Sequence, residues 1–190
     1  MLSEKQFRER AKSELREIGN HLLSLATDRD VYWKMESEIV QHNPLLHGKR
    51  SVFLDMLRSC YVDAMAARVL RLLDGNNLSL PSVLSKLAQH ENLLRDKVTE
   101  REFNNDRAAL QQAAINIQRS LVPHTSHFER TLSSLASLHR ELDAAVDMMT
   151  EAVQTYYWVI ADSHIDLNVH HDSDPLAVFR FSWATPVLAT

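Results

Sequence analysis

Arg119-Ser120-Leu121-Val122-Pro123-His124 brings together the two side chains in this sequence best suited to chemistry on a phosphodiester. A guanidinium fork neutralises phosphate oxygens in both ground and transition states. An imidazole moves a proton in either direction near neutral pH. With four residues between them, Arg119 and His124 form a minimal kit for metal-independent RNA cleavage, in which a 2′-hydroxyl attacks the adjacent phosphorus. Pro123 sets the geometry. It has no N–H, and in a continuing helix its ring crowds the carbonyl of Arg119. The helix that carries Arg119 therefore ends or bends within the hexapeptide. His124 then falls at or just past a helix C-terminus, where the dipole favours a cation. Arg119 shares a face with Ile115 and Gln112, so the pair is expected at one mouth of a bundle. Ser120, Asn116 and His127 stand near enough to orient or assist it. Read without catalysis, the same Arg and His cap helix carbonyls.

Other polar groupings point less clearly to chemistry. His124 and His127 are three apart with Glu129 nearby, but no third ligand follows at helical spacing. His164, Asp166, His170, His171, Asp172 and Asp174 are dense, yet only a folded loop would converge them, and they read as a solvated segment. No metal and no cofactor is expected. Arg71 with Asp74, and likewise Asp63 and Arg68, read as structural charges on one helix. There is no Gly-rich phosphate loop, nucleophile elbow or cysteine zinc pattern.

The elements that must position these groups all read as helices. Ser3, with Glu4 and Gln6 behind it, starts the first, whose stripe is Phe7, Ala11, Leu15, Ile18, Leu22 and Leu25. A break is expected near Thr27-Asp28-Arg29-Asp30, then a second helix through Tyr32, Trp33, Met35, Ile39 and Val40 to His42-Asn43-Pro44. From about Arg50 to Leu73 runs the most apolar helix, with Leu54, Leu57, Tyr61, Met65, Val69 and Leu72 on one stripe. Phe53, Met56, Cys60, Ala64 and Ala67 widen it, so it is expected at the centre. Asp74-Gly75-Asn76-Asn77 ends it, and Ser79 caps a short helix with Val83, Leu84 and Leu87 inside. Glu91 to Asp106 reads as a polar helix or connector. Asn105 or Asp106 is expected to cap the helix carrying Leu110, Ala113 or Ala114, Ile117 and Leu121. The last helix has the cleanest register: Leu135, Leu138, Leu142, Val146, Met149, Val153, Tyr156 and Ile160.

The expected fold is all-α, an up-and-down bundle of five to six helices over residues 1–162. A short tail, 163–190, packs through its two Phe and its Trp on the bundle or on a partner subunit. A net charge of −4 excludes a protein that coats nucleic acid with a basic surface, and DNA is not an expected partner. The N-terminus is charged from Glu4 onward and has no apolar run of the secretory type, and no stretch is apolar enough to span a bilayer. One cysteine, Cys60, reads as a small buried hydrophobe, which suits a reducing, cytoplasmic setting.

The order of these features resembles the HEPN superfamily of helical-bundle proteins, in particular its abortive-infection branch. Arg119 and His124 match its Arg, four to six residues, His pattern between the last two helices. Leu132 to Trp158 resembles the closing helix with its Tyr-rich end. Val69 to Asp74 followed by Asn77-Leu78-Ser79-Leu80 is similar to the Arg-Leu-x-Asp and Ser-Leu turn of that branch. The resemblance covers about residues 7 to 160. Ser120 stands where Asn is frequent, Pro123 where a small residue is familiar, and Ser126 where a Tyr sometimes stands. The resemblance implies a homodimer whose two Arg119/His124 pairs form a composite ribonuclease site acting on RNA. It also implies a toxin or antiviral effector, partnered by an antitoxin such as a nucleotidyltransferase. The alternative is a non-catalytic helical interaction module that uses the aromatic tail and the outer face of the last helix.

Overall fold

The computed structural model describes residues 3–43, 52–74, 78–94, 97–121 and 132–167. The described residues form five α-helices: α1 Glu4–Lys34, α2 Val52–Leu73, α3 Leu80–Ala88, α4 Glu100–Leu121 and α5 Leu132–Ala161. A π-helical turn, Met35–Val40, extends α1, and a short 3-10 turn, Glu91–Leu93, follows α3. No strand occurs among the described residues. The fold is an all-α bundle.

Side-chain ties give the helix directions. Arg58 meets Glu36 and Arg68 meets Asp28, so α2 runs antiparallel to α1. Arg16 reaches Tyr157 while Arg29 reaches Asp147, so α5 is also antiparallel to α1. Asp106 takes the Tyr156 hydroxyl and Ser120 reaches Glu141, so α4 is antiparallel to α5. The four long helices thus go up, down, up, down. The short α3 closes the lower end, tied to α1 by Lys86 and Glu14 at 2.8 Å.

Local chemistry explains the helix starts. Ser3 and Gln6 form a reciprocal capping box at α1. Ser79 Oγ accepts from the Ser82 amide, with Pro81 in the first turn of α3. At α4 the box is Thr99 and Glu102: the Glu102 amide donates to Thr99 Oγ1 at 3.2 Å, and Glu102 Oε2 accepts from the Thr99 amide at 2.9 Å. Helix α4 therefore begins at Glu100, earlier than the Asn105 or Asp106 cap expected from the sequence. Asp106 lies inside the helix and faces α5, where it holds the buried Tyr156 hydroxyl at 3.0 Å.

No break falls at Thr27 to Asp30: α1 runs through to Lys34. Thr27 bonds back to the Leu23 carbonyl, while Asp28, Arg29 and Asp30 pair with Arg68, Asp143/Asp147 and Lys34. Asp28 and Arg29 tie α1 to α2 and α5, while Thr27 and Asp30 bond within α1, so none of them turns the chain. The central helix is α5, which packs on α1, α2 and α4. Its whole predicted stripe is buried, and Ala145, Ala152, Tyr157 and Val159 extend the burial round the helix. In α2 the additional apolar residues face outward. Val52, Phe53, Met56, Cys60, Ala64 and Ala67 are all exposed, so Cys60 is not the buried hydrophobe expected.

The C-terminus of α5 is closed by Asp162, whose φ of 51° ends the helix in the left-handed region while its amide still bonds the Trp158 carbonyl. The chain then crosses α1 at Gly19, where a Cβ would stand 3.0 Å from Leu167 and 3.1 Å from Ile165. Residues from 168 onward, with the tail's Phe and Trp, lie outside the described residues.

The fold makes a stability contrast testable. Leu142 is 1% exposed on α5 and Phe53 is 64% exposed on α2. Leu142→Ala should cost about 3 kcal/mol of unfolding free energy. Phe53→Ala should stay within about 0.5 kcal/mol. Denaturant unfolding of the two variants checks the assignment of inside and outside.

Candidate functional site

One end of the bundle gathers the C-termini of α1 and α4 and the N-termini of α2 and α5. Arg119 lies there, in the last turn of α4. Its side chain is exposed and meets no acidic partner among the described residues. Asn116, one turn earlier on the same face, is also exposed and accepts a hydrogen bond from Gln112 at 2.8 Å. Ile115, 40% exposed, completes this outer face of α4. Ser120 points the other way. Its hydroxyl donates to Glu141 at 2.7 Å and fastens the end of α4 to α5. Ala113, Asn116, Glu141, Ala144 and Met148 border a groove of about 310 Å³ between the two helices. Pro123, His124 and His127 lie outside the described residues, so Arg119, Asn116 and Ser120 carry the structural account of this site. The His/Asp-rich segment is described only to Leu167, where His164 stacks near Trp158. Among the described residues, no three His, Cys, Asp or Glu side chains converge as a metal site would require.

A second constellation, which the sequence reading did not single out, occupies the same end on the opposite side of α5. A cavity of about 510 Å³ opens between α1, α2 and α5, lined by Tyr32, Trp33, Glu36, Arg58, His139 and Arg140, with Leu135 and Ala136 beside them. Glu36 lies in the π-helical turn that ends α1. The wide turn presents its carboxylate to α2, where Arg58 Nε and Nη2 donate to it at 2.7 and 2.8 Å. The Tyr32 hydroxyl donates to the same carboxylate at 3.3 Å. His139 is 7% exposed. Tyr32, Trp33 and Tyr61 surround it edge-on, with ring centroids 5.1 to 5.5 Å away. Its Nε2 is buried without a hydrogen-bond partner.

The electrostatics follow from that packing. Burial pulls His139 below the ordinary imidazole value; the nearby Glu36 carboxylate opposes this and Arg58 reinforces it. Burial likewise drives the Tyr32 and Tyr61 hydroxyls upward, keeping both neutral. Arg58 is held above its usual value, chiefly by its hydrogen bonds to Glu36. Asp143, which bonds Trp33 and pairs with Arg29, is raised by burial. The signal for this cluster is present in the sequence. His139 is a polar residue set beside Leu138 in the apolar register of α5, between Leu135 and Leu142, and Tyr32-Trp33 and Tyr61 stand in helices that pack against it.

The chain was compared with family models, with curated proteins and with solved structures. None of them matches it.

A pH dependence follows from His139. In the unfolded chain its imidazole takes up a proton near the ordinary value of 6.5, while burial keeps it neutral in the fold to lower pH. Below that value the unfolded state binds more protons, so stability present at neutral pH falls as pH drops. His139→Phe should flatten the part of the acid limb that begins near pH 6.5, leaving the carboxylate-dependent loss at lower pH in place. Thermal melts of both proteins between pH 8 and pH 5 (about the span of imidazole titration) measure the difference.

Proposed function

We propose that the chain is a HEPN-type, metal-independent endoribonuclease that acts as a toxin or antiviral effector. The observation that carries the reading is Arg119: a solvent-facing guanidinium with no acidic partner among the described residues, in the final turn of α4 and just ahead of Pro123 and His124. An arginine so exposed is available to a phosphate. The all-helical bundle and the antiparallel α4/α5 pair support the reading, since the linking residues 122–131 carry His124. Ser120 serves as a positioning residue, because its bond to Glu141 fixes the turn that presents Arg119.

In the proposed reaction Arg119 holds the scissile phosphate. The 2′-oxygen forms a new bond to phosphorus while the bond to the 5′-oxygen breaks. An imidazole takes the 2′-hydroxyl proton, and an imidazolium returns one to the leaving oxygen. A homodimer supplies two His124 side chains, one for each role. The outer face of α4, with Gln112, Ile115, Asn116 and Arg119, is the surface through which the two copies would meet.

A second reading, a non-catalytic helical interaction module, gains support from the exposed apolar stripe of α2: Val52, Phe53, Met56, Cys60, Ala64 and Ala67. The outer face of α5 suits that role less well. Its exposed positions alternate charge with scattered apolar groups: Arg140, Asp147 and Glu151, with Ala136, Ala144 and Trp158.

Arg119→Ala and His124→Ala should each reduce RNA cleavage by about a hundredfold or more, the scale of a lost acid–base or charge-stabilising group, with helical content unchanged. Wild-type cleavage should persist in EDTA. Full cleavage by both variants, or cleavage abolished by EDTA, contradicts the ribonuclease reading. A wild-type chain that cleaves no RNA, but loses an associated partner on Phe53→Asp, favours the interaction module.

A further inference from the structure

Two apolar features of the chain have no part in the reaction proposed for Arg119 and His124. One is the outer face of α2, where Phe53, Met56, Cys60, Ala64 and Ala67 recur every three or four residues and all are exposed, with Val52 beside them. The other exposed large apolar residues among those described, Trp33, Ile115 and Trp158, stand singly on α1, α4 and α5. A continuous apolar strip on a surface marks a contact. The second feature is Leu176-Ala177-Val178-Phe179-Arg180-Phe181-Ser182-Trp183, whose alternation sets Phe179, Phe181 and Trp183 on one side of an extended chain. We propose that this segment docks on the outer face of α2 of its own chain and covers Cys60.

Reach, charge and length select this occupant. The described chain leaves the bundle at Leu167, buried against Gly19 of α1. Gly19 lies five residues before Ser24, which meets Arg68 of α2, and Leu73 lies five residues after Arg68 on the antiparallel helix. The exit therefore stands level with the C-terminal end of α2. From Leu167 to Asp174 an extended chain reaches up to about 25 Å, roughly twice the diameter of a helix. At that end of α2 Arg71 continues the apolar strip, exposed and without an acidic partner among the described residues. Asp172 and Asp174 come just before the aromatic segment, so unlike charges meet first and set the register. From Asp174 to Phe181 an extended chain then advances about 23 Å. From Arg71 back to Met56 the helix rises about 22 Å. Phe179 falls over Cys60 and Ala64, where small side chains leave a trough, and Phe181 falls beside Met56. Arg180 and Ser182, on the opposite side, stay in water. The covalent link favours this segment over a second copy, because a short tether holds it at an effective concentration in the millimolar range.

Cys60 is the one cysteine of the sequence and lies under the proposed path, so its reactivity reads the contact in the full chain. N-ethylmaleimide, followed by mass spectrometry, should modify the wild type at least about tenfold more slowly than the Phe179→Asp/Phe181→Asp variant, the protection given by a segment docked about nine-tenths of the time. Arg71→Glu, at an exposed position, should speed modification by about threefold, the scale of one solvent-screened charge pair. Circular dichroism of both variants should match the wild type. The wild-type rate should stay constant between about 1 and 100 μM protein, concentrations below the effective concentration of the tether. Equal rates in the wild type and the double variant leave the strip free for another protein and overturn the proposal. If the double variant loses helical content, a wild-type rate in Arg71→Glu overturns it instead. Protection that grows with protein concentration assigns the strip to a second copy, and this too overturns the proposal.

Discussion

Everything in this molecule leans on the burial of α5. Its stripe from Leu135 to Ile160 is met by α1, α2 and α4, and Met149, Val153 and Tyr156 are wholly enclosed. A helix with so broad an apolar face is stable only when other helices cover that face. That requirement fixes the up-and-down arrangement and explains why polar cross-links line its borders: Arg29 to Asp143 and Asp147, Arg16 to Tyr157, and Ser120 to Glu141. The buried Tyr156 keeps its hydroxyl satisfied by Asp106 of α4 while Phe103 packs edge-on against its ring. The core thus sets both the spacing of α4 from α5 and their register.

The same helix separates two chemical environments at one end of the bundle. Toward α4, its Glu141 holds the turn that presents Arg119 to solvent. Toward α1 and α2, its His139 sits in an aromatic enclosure above the Glu36–Arg58 pair. The first environment is open and suited to a polyanion. The second is recessed, with a neutral imidazole and stacked Tyr32 and Tyr61, whose centroids lie 3.9 Å apart. The π-turn of α1 contributes to the second by turning Glu36 toward α2. Local helix irregularity and long-range packing are joined there.

Much of this was legible in the residues. The stripes of α1 and α5, the Ser3 and Ser79 caps and the inner face of α3 follow from spacing, because apolar periodicity and caps are local properties. The failures are tertiary. Thr27 to Asp30 looks like a break, but the bundle surrounds it with Arg68, Asp143, Asp147 and Lys34, and the helix continues. The apolar breadth of α2 suggested a central helix, whereas Phe53, Met56 and Cys60 face outward. Hydrophobicity alone does not say which of two apolar helices is enclosed. The start of α4 was readable from Thr99 and Glu102 as a capping box, masked by the charged run around it. For the candidate site, the spacing of Arg119 and His124 is a sequence feature, and only Arg119 of the two lies among the described residues. The His139 cavity requires side chains from three helices, so the His139 signal in α5 does not by itself say which residues surround it.

If Arg119 and His124 promote attack by a 2′-hydroxyl, as proposed, the ends of the cleaved RNA report on it directly. Purified full-length chain, incubated with a defined single-stranded RNA in EDTA, gives fragments whose termini mass spectrometry resolves. Attack by the 2′-oxygen leaves 2′,3′-cyclic phosphate, or the monophosphate formed by its hydrolysis, on one fragment and 5′-hydroxyl on the other. Fragments with 5′-phosphate and 3′-hydroxyl ends would contradict it.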